Sequence, residues 1–356
     1  MGSRTETPGG SVANTIAGLG SLGLRTAFIG RVADDDLGHS YALAMQTEGT
    51  DFPNPPVRNA ELPTSRSMIF VSPDGERSMN TYLGISSDVG PEDVSDAVIA
   101  DCEILFLEGY LFDKAPGKEA FRKAASLARQ SGARAGISLS DPFCVDRHRD
   151  DFRKLVAGPL DFFLCNEEEL KSLYQTDDLA EALKMGAADC ELVVCTRSAQ
   201  GVSICQADKR WDVPVVPVVP VDATGAGDQF AAGFLYGVVQ GFDLETCGKI
   251  GGIAAGEVIG HIGPRPATSI AEMLKKQGIV LKPPLGSAQF CVNLIKINLA
   301  SGHFIGRIFK TIFEQIKVTF EHFINQMHRQ IVEIILHGMR AFGAMPFAFV
   351  ELWNGL

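Results

Sequence analysis

Apolar and polar residues alternate in two different ways along residues 9–281. Short runs rich in Val, Ile and Leu are typical of strands buried on both faces, and the longer segments between them have apolar residues three or four positions apart, which predicts helices. This order predicts an α/β fold with a mostly parallel central sheet covered by helices on both faces. The strands are predicted at residues 24–29, 104–109, 135–139, 162–165 and 192–196. Ser11 is expected to cap the first helix, and further helices are predicted at residues 119–130 and 179–188.

One segment departs from this alternation. Residues 67–71 and 77–82 flank the dipeptide Asp74-Gly75, which favours a tight hairpin turn. The Pro-rich residues 53–63 precede the hairpin, and a helical pattern follows it. We therefore predict a small β flap over about residues 66–83, beside the main sheet.

The charge balance bears on the possible partners. The chain has 32 Lys and Arg against 43 Asp and Glu, a formal net charge of −11. Such a surface repels nucleic-acid phosphates and anionic lipids, so we expect no nucleic acid and no membrane as partner. The eight cysteines form no C-x-x-C pair, and the N-terminus lacks an apolar signal segment. We expect buried, reduced thiols, no zinc site and a cytoplasmic protein.

The segment of residues 213–241 carries the clearest chemistry. A Val/Pro-rich extended run ends in the sequence DATGAGD (residues 222–228), and an apolar helix follows it. Strand, glycine-rich turn and helix together are typical of an anion site, because small residues let the backbone N–H groups approach a phosphate. Gly225, Ala226 and Gly227 are the candidate anion-binding residues. No Gly-Lys-Ser/Thr follows, so the turn is not a Walker A loop.

Asp228 is the unusual residue of this turn. A carboxylate in the first turn of a phosphate-binding helix repels the phosphate unless it has a function of its own. One interpretation is a general base that accepts the proton of an attacking hydroxyl group. The alternative is a residue that only stabilises the helix N-terminus.

Several blocks of this sequence, in order, resemble the ribokinase-like (carbohydrate kinase B) family. They span about residues 9–281: GGSVAN from residue 9, GRVADDDLG from 30, NEEE from 166, CTRSAQG from 195 and DATGAGD from 222. The resemblance implies a ribokinase-like three-layer sandwich with a β flap, and an ATP- and Mg²⁺-dependent phosphotransferase in which Asp228 is the base. SMIFVSPDGERSMNTYLGIS, LEGYLFD, SLSDPFCVDRHR and IGPRPATS are most similar to bacterial adenosine kinases, which implies adenosine as acceptor. A sugar kinase and an impaired nucleoside- or nucleotide-binding remnant remain alternatives.

The resemblance also implies roles for residues outside the turn, each with a simpler alternative. Asn14, with Gly10 before it, resembles a substrate ligand, but an Asn in a small-residue helix is also a packing amide. Asn166 and Glu169 resemble the residues that order Mg²⁺ indirectly, although NEEEL also suits a helix start. The remaining assignments are Thr196, Gly201 and Thr224 at the nucleotide, Arg77 over the phosphates or simply solvated, and Phe143 against a purine or in the core.

Departures from the family pattern fall at three places. Only eight residues precede Gly9, so we expect the family's first strand, part of its flap and a substrate-binding Asp to be missing. Ala223 and Gln229 replace the family's commoner residues in the turn. The family domain ends near residue 281; a linker is predicted at 282–302 and an atypical tail at 303–356. An amphipathic helix is predicted at 303–340, which docks on its own domain, mediates self-association or is a non-adaptive extension.

Overall fold

The structure is a computed structural model that describes residues 6–72 and 77–281. Within these residues the strands are β1 (Thr26–Ala27), β2 (Thr50–Asp51), β3 (Arg66–Val71), β4 (Arg77–Tyr82), β5 (Ile104–Glu108), β6 (Arg134–Ser138), β7 (Phe162–Asn166), β8 (Leu192–Thr196), β9 (Val202–Gln206) and β10 (Lys209–Val213). The α-helices are α1 (Ser11–Ser21), α2 (Asp36–Thr47), α3 (Asp96–Ala100), α4 (Ala115–Ser131), α5 (Pro142–Val156), α6 (Glu167–Tyr174), α7 (Leu179–Asp189), α8 (Ala226–Val239), α9 (Leu244–Ile259) and α10 (Ile270–Lys276).

The central sheet of the described residues has six strands in the order β10-β9-β8-β7-β6-β5. β5 to β8 pair in parallel, whereas β9 and β10 complete the sheet as an antiparallel end. The predicted mostly parallel sheet is therefore confirmed, and the chain has a three-layer α/β fold of the kind that the resemblance implies. Parallel strands need crossover helices, and these helices cover both faces of the sheet.

Alternate side chains of each central strand supply two separate cores. In β7, Phe162 and Leu164 face the layer of α1, α8, α9 and α10, and Phe163 and Cys165 face the layer of α4 to α7. β8 follows the same two-residue period. A continuous apolar run is thus required because each face of these strands meets a helical layer.

Two local expectations were wrong in detail. Ser11 was expected to cap the first helix, but it is the first residue of α1, and Gly10 lies at the N-cap with φ 104°. The Val/Pro-rich run was expected to be a strand, but β10 ends at Val213 and residues 214–220 lie outside the sheet. Its three prolines have no backbone N–H to donate, which disfavours a sheet strand.

The strand predicted at residues 24–29 is reduced to β1, which pairs only with β2 in a separate two-stranded sheet. Among the described strands, β5 pairs only with β6, and its apolar residues Ile104 and Phe106 are half-buried. β5 is thus an edge strand of the described sheet. The absence of the family's first strand stays a prediction.

The flap is an antiparallel pair of β3 and β4 in which Ser67 and Thr81 share a hydrogen bond of 2.8 Å. Most of its side chains are exposed, including Met68 and Phe70 at 63% and 61%. The predicted Asp74-Gly75 turn lies outside the described residues. So do the predicted linker at 282–302 and the predicted helix at 303–340. All described residues belong to one compact unit.

Two of the expectations from composition concern features that the structure describes. No helix within residues 6–72 and 77–281 is long and apolar enough to cross a membrane. The cysteines of these residues are unpaired thiols, and all except the half-buried Cys102 are buried. Burial also raises the pKa of the Cys144 and Cys247 thiols to about 12, so these thiols are poor nucleophiles.

Candidate active site

The carboxyl ends of the parallel strands lie at one edge of the sheet, where ligands bind in open α/β proteins. β5 ends at Glu108, β7 at Asn166 and β8 at Thr196. Helix α1 packs against both β5 and α8. It therefore brings the start of α8 to the same edge as the strand ends, although residues 14 and 228 are 214 positions apart in the sequence.

The glycine-rich turn is held from inside by a buried carboxylate. Asp222 accepts hydrogen bonds from the backbone N–H of Thr224 and of Gly263, both at 2.9 Å. Burial opposes ionisation of this carboxyl group, but the hydrogen bonds from Thr224 and Gly263 and the charge of Arg77 outweigh it and hold the pKa of Asp222 below its usual value. The Asp222 carboxylate thus joins two loops, at residues 222–225 and 260–269, by hydrogen bonds.

Gly225 must be glycine for a steric reason. It is the N-cap of α8 with φ 81°, and a Cβ atom there would lie 2.7 Å from Cα and O of Pro264. Ala226 then opens the helix. At Gly227, in contrast, a Cβ atom would meet no atom of the described chain within 4 Å. The first N–H groups of a helix lack partners inside the helix. That of Ala226 donates to the backbone oxygen of Ala223 at 3.3 Å, a long hydrogen bond, whereas Gly227 lies beside open space.

Thr224 supplies a further polar group at this turn. Its hydroxyl oxygen is buried beside Asp222, and the Thr224 side chain is one of the groups that lower the pKa of that carboxyl group. The nucleotide contact of Thr224 stays a prediction.

Asp228 lies in the first turn of α8 and is held by α1. Its Oδ2 accepts a hydrogen bond of 2.8 Å from Nδ2 of Asn14, and its backbone oxygen accepts one of 3.1 Å from Oγ1 of Thr15. Removal from water raises the pKa of Asp228 to about 6, although the hydrogen bonds from Asn14 and Ser11 and the charge of Arg77 oppose the rise. A carboxylate with this pKa is ionised at neutral pH and basic enough to accept a proton.

The packing-amide alternative for Asn14 does not account for both of its polar atoms. Nδ2 faces the Asp228 carboxylate, so Oδ1 points elsewhere; it is buried and has no hydrogen-bond partner among the described residues. Residues 6–72 and 77–281 thus contain an amide oxygen ready to accept a hydrogen bond beside the candidate base.

Glu108, at the end of β5, is a site residue that sequence reasoning missed. Its Oε2 accepts a 3.3 Å hydrogen bond from the N–H of Val12, and Oε1 is buried without a hydrogen-bond partner in the described chain. Burial, with repulsion from Asp228, raises the pKa of Glu108 to about 7. The only sequence signal was a lone Glu that ends an apolar run, in a strand whose partners were not known.

Asn166 and Glu169 form a capping box at the start of α6. Oδ1 of Asn166 accepts from the N–H of Glu169 at 2.8 Å, Oε2 of Glu169 accepts from the N–H of Asn166 at 2.9 Å, and the two side chains join at 2.7 Å. The helix-start alternative therefore describes their contacts correctly. Burial, with repulsion from Asp141, raises the pKa of Glu169 to about 7.

The carboxylates at the ends of β5 to β7 are close enough to affect one ring. Burial, with the negative charges of Asp141, Glu108 and Glu169, raises the pKa of Tyr110 above its usual range. Carboxylate oxygen is the ligand type that Mg²⁺ prefers. The described residues nevertheless contain no cluster of three or more metal-ligating side chains that could hold an ion. A Mg²⁺ ion at this edge would therefore need phosphate oxygens and water among its ligands, and the indirect role of Asn166 and Glu169 stays a prediction.

Arg77 and Phe143 are both available to a ligand. Arg77, on β4, acts electrostatically on both Asp222 and Asp228, so the flap directs a positive charge toward the turn. Phe143 follows the N-cap of α5 and is 72% exposed. The core-packing alternative for Phe143 is therefore wrong.

Three predicted residues have evident structural reasons. Gly10 has φ 104°, and its carbonyl oxygen accepts the N–H of Asn14 at 2.8 Å. Gly201 has φ 92°, and a Cβ atom there would lie 2.1 Å from the backbone oxygen of Val213. Oγ1 of Thr196 donates to the carbonyl oxygen of Cys165 at 3.3 Å. Their substrate or nucleotide contacts stay predictions.

Fold and site together define an α/β protein in which a glycine-rich turn and the buried Asp228 carboxyl group lie at the carboxyl edge of the sheet. The chain belongs to the pfkB family of carbohydrate kinases, whose family model matches residues 1–271. It is thus a kinase that acts on a sugar or a nucleoside.

Solved structures and curated proteins agree with this assignment. A probable sugar kinase from Rhizobium etli is 47% identical, with a TM-score of 0.76 over 79% of this chain and 85% of that one. The adenosine kinase from Sinorhizobium meliloti is 45% identical, with a TM-score of 0.75 over 78% and 85%. Among curated proteins, the 5-dehydro-2-deoxygluconokinase of Geobacillus thermodenitrificans is 27% identical over 72% of this chain and 79% of its own.

Proposed function

We propose that this chain transfers the γ-phosphoryl group of ATP to the 5′-hydroxyl group of adenosine, giving AMP and ADP. One observation carries the proposal: the Asp228 carboxylate lies in the first turn of α8, where the amide of Asn14 holds it. It therefore has a partner on the acceptor side and the anion-binding turn on the other. A carboxylate that only stabilised the helix start would not need the amide of α1.

In the proposed mechanism, Asp228 accepts the hydroxyl proton as the acceptor oxygen attacks the γ-phosphorus atom and the bond to ADP breaks. Oδ1 of Asn14 accepts a hydrogen bond from the acceptor and orients it. The N–H groups of Gly225, Ala226 and Gly227 hold the charge that develops on the phosphoryl oxygens. Mg²⁺, when bound, neutralises part of the phosphate charge, and Asn166 and Glu169 would hold it indirectly.

The flap has a part in this proposal because it bears Arg77. The charge of Arg77 already acts on the two aspartates of the turn. A guanidinium group above the turn would pair with phosphate oxygens when ATP is bound. The flap would at the same time exclude water, which competes with the acceptor hydroxyl group.

Two aromatic side chains support a nucleoside acceptor. Tyr110, two residues after the end of β5, is 44% exposed, and its hydroxyl group donates to the backbone oxygen of Ser140 at 3.2 Å. Phe143, three residues after Ser140, is also exposed. Exposed rings at the carboxyl edge of the sheet suit stacking against a purine. The relative from Sinorhizobium meliloti, an adenosine kinase, supports the same substrate.

A sugar acceptor is the second candidate. The Rhizobium etli relative is a probable sugar kinase at 47% identity, and the curated relatives include 5-dehydro-2-deoxygluconokinases. The two carboxylates at the site, Asp228 and Glu108, would also suit a sugar with several hydroxyl groups. Nucleoside and sugar kinases would share the base and the turn and differ only in the acceptor pocket.

A substrate panel decides between these candidates. We expect adenosine to give kcat/KM values at least about tenfold above those of ribose, fructose and 5-dehydro-2-deoxygluconate, since a purine adds a stacked ring to the shared contacts. ADP release with each acceptor is the measurement, and ATP without acceptor is the blank. A preference for a sugar would overturn the nucleoside assignment. Adenosine binding in calorimetry without any AMP formation would identify a non-catalytic binding protein.

The pH dependence tests the candidate base. With the pKa of Asp228 raised to about 6, kcat/KM is expected to be level above pH 7 and to fall about tenfold per pH unit well below pH 6. Protonation removes the acceptor of the hydroxyl proton, so activity is lost as the pH falls. The matched variant Glu108→Gln should keep this fall in kcat/KM, the acid limb of the pH profile, near pH 6. If the acid limb disappears in Glu108→Gln, the titrating group is Glu108 instead.

A further inference from the structure

Gln229 is a fully buried polar residue in the first turn of α8, directly after the candidate base. Its side-chain Nε2 donates two hydrogen bonds, to the backbone oxygen of Asn14 at 2.9 Å and to that of Pro264 at 3.1 Å. Both partners are carbonyl oxygens and accept only. The amide must therefore present its NH₂ group to them, which fixes its orientation.

The oxygen atom of this amide, Oε1, makes no hydrogen bond among the described residues that would explain a polar side chain here. Oε1 of Gln229 lies against Gly18, where a Cβ atom would be 2.3 Å from it. A buried carbonyl oxygen without a partner is unfavourable, and an apolar side chain of similar volume would avoid that cost. The two hydrogen bonds made by Nε2 are thus the reason for an amide at this position.

The two carbonyl groups belong to two different parts of the site, helix α1 and the loop at residues 260–269. Asn14 is the α1 residue whose side chain donates to Asp228. Pro264 is the loop residue that packs against Gly225, where even a Cβ atom would be 2.7 Å from it. One side chain thus ties the helix that holds the base to the loop that supports the anion-binding turn.

We propose that Gln229 is a positioning residue that fixes the distance between the acceptor-binding helix α1 and the anion-binding turn at Gly225. The inference rests on the proposed phosphotransfer, because that reaction needs the acceptor hydroxyl group and the phosphoryl group at a set separation. Gln229 touches neither group itself. It acts through Asn14 on one side and through Pro264 on the other.

The variant Gln229→Met tests this role, because it keeps the volume and removes both donors. We expect kcat to fall about 10- to 100-fold, since a misplaced reactant costs about this much, while the Kd for ATP changes less than about threefold. The acid limb of kcat/KM should also move to higher pH. A displaced Asn14 no longer stabilises the Asp228 carboxylate, and the pKa of Asp228 then rises.

Gln240→Met is the matched control. Gln240 is a buried glutamine at the other end of the same helix, α8, so its replacement tests the loss of a buried amide without touching the site. Both variants are expected to lower the Tm, but only Gln229→Met should lower kcat and shift the acid limb. Equal losses of activity in both variants, or an unshifted limb in Gln229→Met, would reduce Gln229 to a packing residue.

A titration of the Asp228 carboxyl carbon by NMR separates this inference from the proposed function. A wild-type chain that makes no ADP with any acceptor refutes the phosphotransfer. A higher Asp228 pKa in Gln229→Met, with no change in Gln240→Met, would still support the positioning role, and an unchanged pKa would overturn it. Gln229→Ser removes the same donors with room for water, and replaces Gln229→Met in each measurement where the latter does not fold.

Discussion

Replacement of Asp228 by Asn is expected to lower kcat by about 10³-fold while the Kd for ATP changes less than about threefold. The amide keeps the shape of the carboxylate and still offers an oxygen atom to Nδ2 of Asn14, so the start of α8 should be preserved. It cannot accept the hydroxyl proton. Single-turnover formation of ADP in the presence of acceptor, together with calorimetric ATP binding, measures the two quantities.

Asp36→Asn is the control for the alternative that Asp228 only stabilises a helix start. Asp36 lies in the first turn of α2, is exposed and is outside the site. Its replacement should cost a few tenths of a kcal/mol of stability and no activity. If Asp228→Asn behaves in the same way, with kcat near the wild-type value, then Asp228 is not the base.

The variant Asp228→Asn should also change how the free energy of unfolding depends on pH. The pKa of Asp228 is about 6 in the folded chain and near 3.8 when unfolded, so the folded state holds the proton more tightly. The stability linked to this group is therefore complete below the unfolded pKa and is lost as the pH rises through about 6. Asp228→Asn removes this dependence, so its free energy of unfolding should exceed that of the wild type more at pH 8 than at pH 5, as denaturant titrations would measure.

Replacement of Gly227 by Ala is expected to separate stability from activity. Within the described chain the new Cβ atom meets nothing within 4 Å, and Ala is the better helix former by about 1 kcal/mol. Stability should therefore be kept or raised. Activity should fall about 10²-fold in kcat/KM for ATP, because the methyl group occupies the open space beside the anion-binding N–H groups.

Gly252→Ala is the matched control for this prediction. Gly252 also lies in a helix, α9, and a Cβ atom there makes only an ordinary contact, 3.8 Å from Cγ1 of Val215. Its replacement should raise the Tm and leave activity unchanged. Full activity in Gly227→Ala would mean that the space beside Gly227 does not receive the phosphates.

Much of the sheet could be predicted because burial on both faces leaves a direct trace in the sequence. β8 has the predicted bounds, Leu192–Thr196, since each of its apolar side chains enters one of two cores. The run at residues 214–220 misled because its valines suit a strand while its prolines remove the donors that a sheet needs. The valines favoured a strand there, but the prolines cannot donate the hydrogen bonds that a strand in a sheet needs.

The site divides in the same way. The turn at Gly225 to Gly227 and the carboxylate of Asp228 were evident, because a local motif states its chemistry in consecutive residues. Glu108 was missed, because its raised pKa arises from burial and from Asp228, which is distant in sequence. Gln229 was noticed only as a departure, and its two partners explain it.

The sequence by itself determined the α/β class and predicted the glycine-rich turn and the candidate base, because periodicity and small-residue turns act over a few neighbouring residues. Only the tertiary structure decided which groups meet: the amide of Asn14 with Asp228, and one buried glutamine with both helix α1 and the loop at residues 260–269. Such pairings join residues up to 215 positions apart. They depend on how α1 packs against α8, and no local pattern of residues encodes that packing.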